Sequence, residues 1–188
     1  VIKIPKKSVN YFHSNVDEIF NSGNIAEGQW TKRLSEYGIK YCDVACAIPT
    51  VSNGSGIMAL LQIYKEYENR NKVLIQSNTM YGVKTMVKTA GLKLSGIIDC
   101  NPMNLMPDLI HVEKAINANS DQENTIILLS HIGGTINRDI SKIAKLCKEK
   151  NIILIEDCAH SFGAKFDNRN SGTFGDAGVY SFYATKAV

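Results

Sequence analysis

From Lys72 onward, short β-rich apolar runs alternate with segments of helical period. A pattern of that kind is buried by a layered α/β arrangement, a mainly parallel sheet flanked by helices. Residues 72–76 read as a strand, and Val83, Met86, Val87 and Ala90 follow at i, i+3, i+4 and i+7, one apolar face of a helix. Gly91 stands where a left-handed C-terminal cap is needed. Residues 92–98 read as the next strand, and Pro107-Asp108 opens a helix lined on one side by Leu109, Val112 and Ile116. Residues 125–130 form a buried strand, Ile140, Ile143, Ala144 and Cys147 mark another amphipathic helix, and residues 151–155 are a fully apolar strand. Residues 177–182 are the last strand expected. The first forty residues are less regular, with a turn at 21–24 and a short helix over 30–37. No Pro- or Ser-rich linker divides the chain, so residues 1–28 are read as an N-terminal arm and residues 29–188 as one partial large domain.

Composition permits this fold and excludes other classes. With 188 residues, 44% apolar and 21% charged, the chain can bury a core without bridges or metals. Its 21 Lys+Arg against 18 Asp+Glu leave +3 with no long basic run, too weak a field to suggest nucleic acid. The five cysteines, Cys42, Cys46, Cys100, Cys147 and Cys158, include no C-x-x-C pair, so they signal neither a disulfide framework nor a zinc ribbon and fit a reducing compartment. The longest apolar stretches fall far short of a membrane span, and the first residues lack a signal-peptide core. A cytoplasmic protein that does not engage a membrane is expected. The chain begins with Val1 and stops just after Lys186 without a closing element, as a fragment would.

Three short segments carry candidate chemistry. Ser52-Asn53-Gly54-Ser55-Gly56 leads into Ile57, Leu60, Leu61 and Tyr64, again at helical spacing. The free N–H groups and dipole of a helix start attract an anion, glycine permits close approach, and Ser55 adds a hydroxyl; a phosphate cradle and ordinary helix capping are the two readings. Glu156-Asp157-Cys158-Ala159-His160 follows the apolar run, which puts Asp157 at the carboxyl end of a parallel strand, where open α/β sheets hold their ligands. Such a carboxylate suits the protonated ring nitrogen of a pyridine cofactor, with His160 near another ring substituent. The alternatives are a turn-forming aspartate, or a metal pair for which His131 and His111 offer no matching third-ligand spacing. Ser181-Phe182-Tyr183-Ala184-Thr185-Lys186 follows the glycine-rich stretch 172–178. A lysine past a strand end is either solvated or, when desolvated or beside another cation, a nucleophile.

Taken together, the cradle, the strand-end acid with its histidine and the lysine five residues after a serine are what pyridoxal 5'-phosphate requires. The same blocks resemble the DegT/DnrJ/EryC1/StrS family of sugar aminotransferases. The resemblance is carried by Val51-Ser52-Asn53-Gly54-Ser55, Ser77-Asn78-Thr79 and Ser130-His131-Ile132-Gly133-Gly134, by residues 155–164 around Glu156-Asp157-Cys158-Ala159-His160, and by residues 172–186 ending in Lys186.

The resemblance implies the large domain of the aspartate-aminotransferase-like fold, incomplete here, with the small C-terminal domain absent. It implies that Lys186 bonds to the cofactor aldehyde, Asp157 pairs with the pyridine nitrogen and His160 faces the ring oxygen. Gly54, Ser55 and Ser181 would hold the phosphate. Met80 takes the place where the family commonly stacks an aromatic ring, a departure that Tyr81 beside it would share. The implied reaction is ping-pong transamination from an amino acid, usually glutamate, to a keto sugar nucleotide, with Lys186 carrying the proton. A family branch that dehydrates its substrate has histidine in place of this lysine. Homodimers are implied; the residues themselves, lacking a third ligand at matching spacing, lead us to expect no metal. The competing readings are a split-gene half acting only in assembly, another fold-type I enzyme such as a lyase, and a Ser-His-Asp hydrolase, for which no G-x-S-x-G elbow is present.

Overall fold

A computed structural model describes residues 3–119 and 122–186. The chain forms two compact units, Val1–Pro49 and Thr50–Val188. In the first, helix α1 (Lys6–Ser22) ends on Gly23 at φ 70°, the left-handed cap that glycine adopts without a Cβ clash, and α2 (Gln29–Cys42) follows. Tyr11 and Trp30 meet edge to face, their ring centroids 6.1 Å apart. The sequence pattern predicts a helix here only over 30–37, whereas the structure adds α1 and extends α2 to Gln29–Cys42. Val9, Phe12, Val16 and Phe20 do recur at helical spacing, but Ser14 and Asn15, poor helix formers, interrupt the pattern. In the structure both side chains bond back to the Tyr11 carbonyl and leave the helix intact.

The second unit opens with α3 (Asn53–Glu68) and continues as the expected alternation: β1 (Lys72–Gln76), α4 (Tyr81–Thr89), β2 (Lys93–Ile98), α5 (Leu109–Asn117), β3 (Thr125–Ser130), α6 (Ile140–Glu149) and β4 (Ile153–Cys158). A two-residue antiparallel pair, β5 (Lys165–Phe166) and β6 (Arg169–Asn170), precedes β7 (Ala177–Tyr180). The main sheet runs β2-β1-β3-β4-β7 and is parallel throughout. Every residue of β3 and β4 is buried, which explains their unbroken apolar runs.

Side-chain alternation along the strands sorts the core into two faces. Ile126, Leu128, Ile153, Ile155 and Val179 pack with α3 and α4 through Ile57, Leu61, Val83 and Val87. Ile127, Leu129, Leu154 and Phe174 pack with α5 and α6 through Val112, Ile116, Ile140 and Ile143. The chain therefore leaves β1 by one face, returns to β3 by the other, and creates a switch point at the carboxyl ends of β1 and β3.

One boundary moved. The strand expected over 151–155 runs Ile153–Cys158, because Asn151 adopts a left-handed φ of 52° and the Ile152 amide bonds to Cys147 O at the end of α6. Glu156 and Asp157 thus lie inside the strand, which the sequence reading had ended before them. The last strand likewise stops at Tyr180, two residues early. Among the described residues no helix is long and apolar enough to cross a membrane.

Helix α3 approaches the sheet closely at Gly56: a Cβ there would lie 2.9 Å from Val179 Cγ1 and 3.2 Å from Thr50 Oγ1. Gly56→Val should lower unfolding stability by about 1–3 kcal/mol, the usual cost of overpacking, as read by urea denaturation. Burial pushes the Cys147 thiol from 9.0 up to about 12, and Cys158 is raised by burial and by the Glu156 carboxylate. The stabilising contribution of Cys147 is therefore complete below pH 9.0 and is lost as pH climbs toward about 12. Maleimide labelling followed by mass mapping should modify exposed Cys46 in the folded chain, with Cys147 and Cys158 reacting only after denaturant is added.

Candidate active site

The carboxyl edge of the sheet gathers most of the residues singled out in the sequence. Ser52 caps α3: its Oγ accepts from Ser55 N at 3.1 Å, and Ser52 N donates back to Ser55 Oγ at 3.0 Å, a reciprocal capping box. The Ser55 hydroxyl donates to Ser52 O at 2.7 Å. Capping thus describes the present bonds of Ser55, while the first-turn N–H groups of Asn53 and Gly54 face out of the helix start, where an anion would be received.

Asp157 is 8% exposed and lies on the α3 face of β4, the same face as Ile153 and Ile155. Its Oδ1 accepts from Asn53 Nδ2 and from Ala159 N, each at 3.1 Å, and its Oδ2 from Ser130 Oγ at 3.2 Å. Ser130 and Asp157 are register partners across β3 and β4. Thr79 Oγ1 lies 2.8 Å from Ser130 Oγ, extending the network to the loop after β1. Asn53 Nδ2 also donates to Val179 O at 2.9 Å, so the start of α3 is tied to both β4 and β7.

His160 follows β4, is exposed, and accepts at Nδ1 from Gly133 N at 3.3 Å. Gly134 takes φ 82°, and a Cβ there would lie 2.8 Å from His160 O, so glycine lets the loops after β3 and β4 close on each other. Met80 and Tyr81 open α4 and are 59% and 81% exposed. Ser181 and Lys186 lie in the turn after β7, where Ser181 Oγ accepts from Tyr183 N at 3.4 Å and Lys186 N donates to Tyr183 O at 2.8 Å. Among the described residues no hydrogen bond or ion pair joins Met80, Tyr81, Ser181 or Lys186 to Asp157.

A second network, which the sequence reading did not find, lies on the opposite face of β4. Glu156 is fully buried; its Oε1 accepts from Phe174 N at 2.6 Å and Gly175 N at 2.8 Å, and its Oε2 from Gly172 N at 2.9 Å and His131 Nε2 at 2.8 Å. His131 Nδ1 accepts from Asn137 N at 3.3 Å, so these partners assign the Nε2–H tautomer. His131, Glu156 and Cys158 stand within 4.8 Å of one another, a possible ligand trio by residue type, but the Glu156 oxygens are engaged by four protein donors. Gly172 sits at φ 80° beneath the Tyr180 hydroxyl, and a Cβ on Gly178 would collide with the Gly172 backbone, which accounts for the glycine spacing of the 172–178 stretch. Ser130 could have been anticipated, because consecutive parallel strands are usually neighbours. The Glu156 cradle could not, since its three amides lie 16 to 19 residues away.

A profile of the DegT/DnrJ/EryC1/StrS aminotransferase family matches residues 7–188. The chain belongs to this family. Over 174 residues it is 24% identical to the UDP-4-amino-4,6-dideoxy-N-acetyl-beta-L-altrosamine transaminase of Helicobacter pylori, covering 91% of this chain and 44% of that protein. Over 184 residues it is 27% identical to the GDP-perosamine synthase of Escherichia coli O157:H7, covering 97% and 47%. The crystal structure of a DegT DnrJ EryC1 StrS aminotransferase from Brucella abortus shares the fold with a TM-score of 0.82 at 21% identity, over 96% of this chain and 48% of that one. The chain thus spans about half the length of the relatives it matches.

The family's cofactor is pyridoxal 5'-phosphate, and the local chemistry fits it. A helix start whose Asn53 and Gly54 amides have no hydrogen-bond partner among the described residues suits the phosphate. A poorly exposed carboxylate on the neighbouring strand, with one oxygen accepting a single hydrogen bond among the described residues, suits a cationic ring nitrogen. The Glu156 network holds the far side of the same strand. Glu156→Gln, which turns an amide N–H₂ toward backbone donors, should cost about 3–5 kcal/mol by urea denaturation. Glu149→Gln on the exposed end of α6 should stay within about 0.5 kcal/mol of the parent.

Proposed function

We propose that this chain carries the cofactor-binding half of a pyridoxal-phosphate aminotransferase that moves an amino group from an amino acid, glutamate, to a keto sugar nucleotide. The observation that carries this reading is the Asp157 carboxylate, oriented by Asn53 and Ser130 next to the helix start that presents Gly54 and Ser55. Family membership supports it, as do the relatives named as a transaminase of a UDP-linked amino sugar and as a GDP-perosamine synthase.

In this reading Gly54, Ser55 and Ser181 bind the phosphate, Asp157 holds the proton on the ring nitrogen, and His160 faces the ring oxygen. When bound, the cofactor supplies an electron sink for the carbon that loses its proton. Lys186 would anchor it and would carry that proton at its Nζ. Met80 packs its thioether on the ring face with Tyr81 alongside. The active form is a cytoplasmic homodimer, binding neither nucleic acid nor membrane, with residues 1–28 as an arm and residues 29–188 as part of the large domain.

The test uses the complete polypeptide that carries these residues. Incubation with pyridoxal phosphate, borohydride reduction and peptide mapping should place a phosphopyridoxyl group on Lys186, and Lys186→Ala should abolish it. Asp157→Asn should retain cofactor yet lower amination of a keto sugar nucleotide by about 10²–10³-fold. Labelling scattered over surface lysines, or none, would overturn the assignment.

A further inference from the structure

We propose that Asn53 is a positioning residue that turns the Asp157 carboxylate so that Oδ2, and not Oδ1, is presented to the pyridine nitrogen. This rests on the cofactor reading above. A carboxylate oxygen offers about two acceptor sites. Oδ1 has both filled, by Asn53 Nδ2 and by Ala159 N, each at 3.1 Å. Among the described residues Oδ2 accepts only from Ser130 Oγ at 3.2 Å, and that hydroxyl is itself paired with Thr79 Oγ1 at 2.8 Å. One site on Oδ2 is left for a further donor.

The amide orientation of Asn53 is fixed by chemistry. Its Nδ2 faces two acceptors, Asp157 Oδ1 and Val179 O at 2.9 Å, and a flipped amide would point its oxygen at both. Asn53 is also the first residue of α3, adjacent to Gly54 and Ser55. A single side chain therefore links the helix start that would hold the phosphate to the carboxylate that would hold the ring nitrogen. That link sets the spacing between the two ends of the cofactor and stops the carboxylate from rotating.

The experiment loads the complete polypeptide with pyridoxal phosphate labelled with ¹⁵N in the ring and follows the nitrogen resonance across pH, together with steady-state kinetics and thermal unfolding. In Asn53→Ala the ring nitrogen should deprotonate about one pH unit lower than in the parent, a tenfold change in that equilibrium. The kcat should fall about ten- to hundredfold while KM for the sugar nucleotide stays within about threefold, the range expected when a hydrogen bond to a charged group is lost. Asn53→Asp sets two carboxylates side by side and offers Val179 O no donor, so kcat should again fall, while the added negative charge should move the nitrogen titration upward instead of downward. A lowered Tm with an unchanged nitrogen titration in both variants would reduce Asn53 to a structural tie and overturn the proposal. A parent protein whose cofactor is not bound at Lys186, or whose ring nitrogen is neutral at all pH values, would fail the functional reading itself, an outcome separable from the first.

Discussion

Two consecutive carboxylates on one central strand, pointing to opposite faces, organise this fold. Glu156 is buried, and a lone charge there would cost several kcal/mol. It is tolerated because four donors converge on it, three of them backbone amides of the 172–175 segment. That segment has little secondary structure of its own, so the carboxylate substitutes for a strand partner and delivers the chain to the start of β7. Its neighbour Asp157 inherits a rigid backbone, and its side chain emerges on the face where α3 begins.

The approach of α3 completes the arrangement. Gly56 brings the helix against Val179, and Asn53 bonds to the carbonyl of the same residue. Val179 and Asp157 are register partners, so helix start and acid meet across a single strand pair. The switch between β1 and β3 opens the carboxyl edge beside them, and Thr79 and Ser130 line that opening with hydroxyls. Aliphatic packing on both faces holds the sheet, while a few polar links decide where its functional edge points.

Much of this was legible in the chain. The strands at 72–76 and 125–130 coincide with the apolar runs, and the helices after them follow the i, i+3, i+4, i+7 spacing closely. Short motifs single out Asp157, His160, Gly54, Ser55 and Lys186, and the structure sets Asp157 beside the helix start at Asn53 while no bond among the described residues joins Lys186 to Asp157. The β4 boundary was misread because apolar runs mark burial, and Glu156 and Asp157 are buried without being apolar. Helix α1 was missed because its apolar stripe is broken by residues whose helical hydrogen bonds are visible only once the helix exists.

By itself, the sequence determined the fold class, the alternation of elements and the chemistry available at the strand ends, since periodicity and residue type follow from local geometry and burial. Tertiary structure alone decided the strand order, the pairing of Asp157 with Asn53 and Ser130, and the capture of Glu156 by a distant loop. These join residues up to 104 positions apart. Such contacts depend on how faces pack and which polar groups must be satisfied once water is excluded, and no local pattern encodes that choice.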